Sequence, residues 1–170
     1  MQNILELQTP LDEEVVSRLK VGDVISISGF IFCGRDAVLP RICRELQDGS
    51  WQSRGIDLRG GVIFHTAVSP AGVGPTSSNK LEIESSFPAL SEAGVKLHLG
   101  KGAISPATIQ ALAGNNSVFA VIPPVTALLE DQTLERECLA FPELGMEAFY
   151  RLKVRNYQAI IAAAGGESIY

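Results

Sequence analysis

The stretch "VGDVISISGFIFCGRDAVLP", residues 21–40, decides the fold. A Val21-Gly22-Asp23 turn leads into an alternating run from Val24 to Phe32, rich in β-branched residues, which predicts a strand. A glycine loop follows, Cys33 to Ala37. Val38, Ile42 and Leu46 then recur at helical spacing, so a helix is expected from Asp36 to Leu46. Pro40 fits that helix only near its start, where the missing N–H costs nothing. Strand, glycine loop and helix in that order are the unit of an α/β domain rather than of a sandwich.

Working outward, the pattern recurs. A short helical stretch, "VVSRL", precedes the first strand, and "GGVIFHTAV" (60–68) predicts a second strand. A Pro/Gly/Ser-rich loop is expected from Ser69 to Asn79, then a short helix in "FPALSEAGV" closed by Gly94. "KLHLGKG" (96–102) predicts a strand ending in a glycine turn. "SPATIQALAGNN" (105–116) predicts a helix with Ser105 as its cap, Pro106 at its first position and Gly114 as its stop. A strand in "SVFAVI" (117–122), a helix around "LGMEAFYRL" (144–152) and a final strand in "YQAIIAAA" (157–164) complete the order. No internal repeat and no dividing linker interrupts it, so residues 1–170 are expected to form one domain.

The hydrophobic fraction is 46% and the charged fraction 19%, as in a globular protein that leans apolar. A chain of this length buries roughly two-thirds of its unfolded surface. The net charge of −5 opposes binding to phosphate backbones and acidic lipid, so neither nucleic acid nor membrane is an expected partner. The opening "MQNILELQTPLDEE" has no signal-peptide pattern, and "SVFAVIPPVTALL" is too short and too broken by proline to span a bilayer; a cytoplasmic location is expected. Cys33, Cys43 and Cys138 are an odd, scattered set that suits a reducing compartment better than a disulfide framework.

Three loops each join glycine to a cation or hydroxyl at the end of a predicted strand: "CGRDA" (33–37), "GPTSSNK" (74–80) and "GKGAISP" (100–106). Ligands of open α/β domains collect outside strand ends. The order GRD, GPTSS, GKG, followed by "GMEA" and a closing strand, resembles the β region of the iron–sulfur hydro-lyases, class I fumarase and L-tartrate dehydratase. The resemblance runs from about Val21 to Tyr170 and includes the "VGDVISISG" approach to the first motif.

That resemblance implies a swivelling β/β/α domain acting with an α subunit that carries a four-iron four-sulfur cluster, in an assembly with two copies of each subunit. The reaction implied is reversible hydration of a small dicarboxylate of the fumarate, malate or tartrate type. An open iron of the cluster would bind the leaving hydroxyl while a base takes the proton from carbon. Thr76 matches the family's base, and Arg35, Lys80 and Lys101 match its carboxylate-binding cations, with Asp36, Gly74, Ser77, Gly100 and Gly102 in support. A hydroxyl acts as a base only where cations and donors stabilise its deprotonated form. The cluster's cysteines belong to the α part in this family. Here Cys33, Cys43 and Cys138 form no CxxC pair, so no metal ligand is assigned to this chain.

The chain also departs from the family pattern. It reads "GRDAVLPR" where GRDAAHKR is usual, so Leu39 and Pro40 replace a histidine and a base. It reads "NKLE" where an arginine followed by Met-Asp is usual, so Lys80 replaces a planar fork. The "TAVSPAGVGPT" approach is shorter than usual, and Pro123-Pro124 stand where a Gly-Gly pair is common. These changes motivate an alternative in which the chain is a divergent or non-catalytic relative serving as a binding or assembly module. A phosphate-binding domain is a third reading, against which the loops lack P-loop spacing.

Several residues have ordinary readings beside the functional ones. Asp36 either orients Arg35 or caps the following helix. His65 and His98, with no third ligand at metal spacing, are expected to be packed or hydrogen-bonded histidines outside the site. Trp51 is expected to pack on its own domain. Glu147 matches a family position, yet a glutamate in a helix's first turn has a dipole explanation.

Overall fold

The fold comes from a computed structural model, which describes residues 3–69, 72–76, 84–100, 103–122 and 132–169. In chain order the elements are β1 (Ile4–Gln8), α1 (Glu13–Ser17), β2 (Val24–Cys33), α2 (Leu39–Asp48), a 3-10 turn (Ser50–Arg54), β3 (Val62–Phe64), β4 (Thr66–Ser69) and β5 (Gly72–Thr76). Then follow α3 (Phe87–Glu92), β6 (Leu97–Gly100), α4 (Pro106–Gly114), β7 (Val118–Val121), β8 (Thr133–Ala140), a second 3-10 turn (Pro142–Glu147), β9 (Phe149–Ala164) and β10 (Glu167–Ser168).

Strands β2, β3, β6 and β7 are parallel neighbours in that order. Strand β9 runs antiparallel to both β7 and β2 and so closes the set into a five-membered, barrel-like ring. Strand β1 extends it beside the first half of β2, and β8 beside the first half of β9. One residue in two along each ring strand points inward: Ile25, Ile27, Ile31 and Cys33 from β2, Val62 and Phe64 from β3, Leu97 and Leu99 from β6. In β9 the inward set changes parity, from Leu152 and Val154 to Tyr157, Ala159 and Ile161. A bulge opposite Ile27/Gly29, with Asn156 at φ 55, absorbs the extra residue.

The helices cover one outer side. Val38, Leu39 and Ile42 at the start of α2 pack with Ile63, Leu90, Trp51 and Phe149. Trp51 is buried and meets Phe149 edge-on at 5.8 Å, as expected of a tryptophan serving its own domain. A second outer cluster joins Phe87, Leu112, Phe119 and Ala162. The predicted cap of α4 is present: Ser105 Oγ accepts from the Thr108 N–H, and Pro106 opens the helix.

The α/β class holds, with corrections inside it. The helix expected around 144–152 is a 3-10 turn followed by the start of β9, because Gly145 sits at φ 61, ψ −122, where no helix continues. Helix α2 starts at Leu39, three residues later than expected, with Val38 as its N-cap and no side-chain cap, so Asp36 is not the capping residue. Part of the expected loop from Ser69 to Asn79 is the hairpin strand β5. Strands β1 and β8 were not expected. Among the described residues no helix is long and apolar enough to cross a membrane.

Candidate active site

The ring brings the described parts of the three motifs, Cys33–Ala37, Gly74–Thr76 and Gly100, to one end of the sheet. Cys33, the last residue of β2, lies opposite Phe64, the last of β3, and Phe64 lies opposite Leu99 in β6. The ladder continues past the strand ends: the Gly34 N–H donates to Phe64 O at 3.1 Å and the His65 N–H to Leu99 O at 3.0 Å. Neighbouring strands lie about 4.8 Å apart, so the Gly34–Arg35 loop, the β4–β5 hairpin and Gly100 leave the sheet side by side. The carboxyl ends of adjacent parallel strands are where such folds place ligands. A cleft of about 450 Å³ lined by Val21, Asn116, Ser117 and Glu167 lies at the amino ends instead and contains no motif residue.

Arg35 is the described cation of this end. Its Nε donates to Glu147 Oε1 at 2.6 Å, and Asp36 Oδ1 lies 3.8 Å away. Glu147 reaches it because Cys33 pairs with Tyr150, which sets the turn before β9 against the GRD loop. Among the described contacts Arg35 uses only Nε, which leaves the two terminal nitrogens for a planar, two-point grip on a carboxylate. Gly34 permits the close approach: a Cβ there would stand 2.7 Å from Val38 Cγ1 and 3.3 Å from Phe149 Cδ1.

Thr76 ends β5, with its backbone paired to Thr66 and Gly74 two residues before it. Gly100 ends β6, where a Cβ would meet the Phe119 ring at 3.2 Å. Ser77, Lys80, Lys101 and Gly102 lie outside the described residues. Leu39, where the family pattern has histidine, is fully buried, and Pro40 begins α2.

His65 and His98 are packed, hydrogen-bonded histidines, as expected, and they meet each other where β3 lies on β6. His65 Nε2 and His98 Nδ1 are 3.0 Å apart, and His98 Nε2 is 2.9 Å from Ser91 Oγ. Both rings are buried, stacked among each other and Phe87. Burial pulls the His65 pKa well below the usual histidine value, helped by its neighbour, and burial brings His98 down to about 3. Both rings are therefore neutral at ordinary pH. The available signal was parity: His98 lies between the inward-facing Leu97 and Leu99, so it faces the helices and must be buried there.

The cysteines are dispersed. Cys33 lies inside the ring, where burial pushes its thiol pKa up; Cys43 is half-buried with Sγ 3.9 Å from Ser86 O; Cys138 is exposed on β8. Among the described residues no three His, Cys, Asp or Glu side chains converge as metal ligands. These residues do not fit an iron–sulfur cluster.

The family model described as "Fumarase C-terminus" matches residues 1–170. The chain is 30% identical over 169 residues to the "L(+)-tartrate dehydratase subunit beta" of Escherichia coli K12, covering 92% of this chain and 81% of that one. It is 29% identical over 172 residues to the "Putative fumarate hydratase class I" of Geobacillus stearothermophilus, covering 94% of this chain but about a third, 32%, of that relative's length. With a family match across residues 1–170 and a curated relative 30% identical over most of both chains, the chain belongs to the fumarase C-terminus family.

Proposed function

We propose that this chain is the β subunit of a two-subunit hydro-lyase that adds water to, or removes it from, a small dicarboxylate of the fumarate/malate or tartrate type. The observation that carries this reading is that the Gly34–Arg35 loop, the hairpin that carries Gly74 and Thr76, and Gly100 leave the sheet together at the carboxyl ends of β2, β3 and β6. Relatives named as a tartrate dehydratase β subunit and as a class I fumarate hydratase support it. In this reading the strand ring with its outer helices is a swivelling β/β/α domain that docks on an α subunit in the cytoplasm, two copies of each assembling together. A four-iron four-sulfur cluster belongs to that partner, since the three cysteines here are dispersed and the described residues offer no ligand set for it.

The chain's own contribution is binding and proton transfer. Arg35, fixed through Nε by Glu147, presents its fork to one carboxylate, and Lys80 and Lys101 supply charge to the rest of the dianion. Thr76 takes the proton from carbon, its alkoxide form stabilised by those cations. Asp36, Gly74, Ser77, Gly100 and Gly102 shape the loops. The test is anaerobic co-purification of the tagged chain from its own cell extract, with iron and sulfide assayed and turnover measured on fumarate, malate and L-tartrate. An iron–sulfur partner with turnover that Thr76→Ala abolishes is the expected result. Turnover by the purified chain alone would overturn the reading.

One observation favours a second reading. Leu39 and Pro40 serve the packing of α2, so that stretch contributes no titrating group. If the co-purified complex assembles but converts none of the three acids, the chain is a binding or assembly module of the same fold.

A further inference from the structure

Ser91, His98 and His65 form one buried hydrogen-bonded chain, and its polarity follows from counting protons. The Ser91 hydroxyl, on α3, makes no bond to a preceding carbonyl, and its one side-chain partner among the described residues is His98 Nε2. A buried hydroxyl proton without an acceptor is costly, so Ser91 donates to His98 Nε2. His98 then carries its proton on Nδ1 and donates to His65 Nε2, and His65 in turn carries its proton on Nδ1. The opposite polarity strands two groups, the Ser91 proton and a His65 lone pair. The stated polarity strands one, the His65 Nδ1–H, and Nδ1 is the buried ring atom that lacks a partner among the described residues.

That atom is the ring nitrogen nearer the histidine's own backbone. The backbone of His65 is pinned between the first and third motif strands by the bonds from Gly34 to Phe64 and from His65 to Leu99. The next residue, Thr66, opens β4 opposite Thr76. A neutral donor without an acceptor among the described residues therefore stands one residue before the hairpin that pairs Thr66 with Thr76. Because the pKa values of both rings are pulled far down by burial, the donor adds no charge to a site already supplied with cations.

We propose that His65 is a substrate-binding residue of this site, donating from Nδ1 to a carboxylate oxygen of the bound dicarboxylate, with His98 and Ser91 as positioning residues that fix its tautomer. This rests on the hydro-lyase reading, and its test separates the two. In long-range proton–nitrogen spectra of the full-length labelled chain, His65 and His98 should both appear as neutral Nδ1–H tautomers. Ser91→Ala should release that polarity and populate the Nε2–H form of His65. A His65 found as Nε2–H in the native chain overturns the inference without any activity measurement.

In the reconstituted complex, the substrate is whichever of L-tartrate and fumarate is turned over. His65→Phe, which keeps ring volume but deletes the donor, should raise KM about tenfold while kcat stays within about threefold, the pattern of a lost bond to a charged group. His65→Gln, which restores an amide donor, should recover part of the loss, and it replaces the phenylalanine variant if that one does not fold. Arg35→Ala is the control for the site itself. If Arg35→Ala impairs turnover and both His65 variants leave KM unchanged, the His65 inference falls and the site stands. If none of the three changes turnover, both fall.

Discussion

At the scale of single residues, His65 and His98 tie stability to pH. Both are neutral in the fold, while an unfolded chain protonates each near the ordinary histidine pKa of 6.5. Below pH 6.5 the unfolded state thus binds more protons than the native one, and stability falls as pH falls. Each ring contributes a slope of about 1.4 kcal/mol per pH unit until its own folded pKa is reached, near 3 for His98. Glu45, Asp48 and Asp57 are held low by Arg54, Ser50 and Arg59, and they lose stability only below their ordinary values of 4.5, 3.8 and 3.8. Urea midpoints between pH 4.5 and 6.5 should therefore fall with acid mainly through the two rings, and His98→Gln should roughly halve that slope whatever it does to the plateau. An unchanged slope would mean that His98 binds as many protons in the fold as in the unfolded chain. Arg35 and Glu147 give the opposite kind of prediction. Their pair is partly exposed, so Glu147→Gln should cost under about 1 kcal/mol in urea denaturation. Arg35→Lys, which keeps charge but loses the fork, should lower kcat/KM in the reconstituted complex at least about tenfold, with stability nearly unchanged.

At the scale of elements, two glycines hold geometry that no other residue can. Gly29 has φ 111 at the bulge, and a Cβ there would collide with Thr9 Oγ1, in the connection after β1. Gly29→Ala should cost about 2 kcal/mol or more through backbone strain and overpacking together. Gly34→Ala, with ordinary φ but 2.7 Å from Val38, should cost about 1–3 kcal/mol from overpacking alone. Urea denaturation of both variants checks the order, and a Gly34 variant worse than Gly29 would contradict it. The same elements show what the sequence could reveal. Strands β2, β6 and β7 and helix α4 were legible because each carries a local signal, alternation or a Ser-Pro cap. Strand β8 was not, because most of its face is solvent and "TLERECLA" has no apolar side to alternate with. The start of β9, Phe149–Leu152, was read as helix because Met146, Glu147, Ala148, Arg151 and Leu152 are good helix formers, and pairing with both β2 and β8 overrides that preference. In the candidate site the glycine motifs were legible as sequence; His65 and His98 were expected to be packed or hydrogen-bonded and are, but their contact with each other was not legible, since they are 33 residues apart and meet only once β3 lies on β6.

For the whole molecule, closure of the ring is the decisive event, and it is non-local. Strand β2 is joined to β9 from Val24↔Ile160 to Cys33↔Tyr150, so its partner lies more than a hundred residues away in sequence. Bringing such distant segments together costs loop entropy before any contact repays it, which places the chain among slowly folding domains. Without β9 the inward faces of β2 and β7 lose Leu152, Val154, Tyr157, Ala159 and Ile161, and Arg35 loses the turn that presents Glu147. A chain ended after Ala148 should therefore show no cooperative urea transition, whereas one ended after Gly166, which lacks only the short β10 pairing, should keep one. If the first truncation unfolds cooperatively, the parallel strands form a core by themselves and β9 only decorates it. If it does not, the GRD loop and its glutamate are built in the same step that closes the ring, so the site exists only in the fully folded domain. Amide exchange gives an independent reading: β2 and the Tyr157–Ile161 part of β9 should exchange together, through global unfolding, and more slowly than β8.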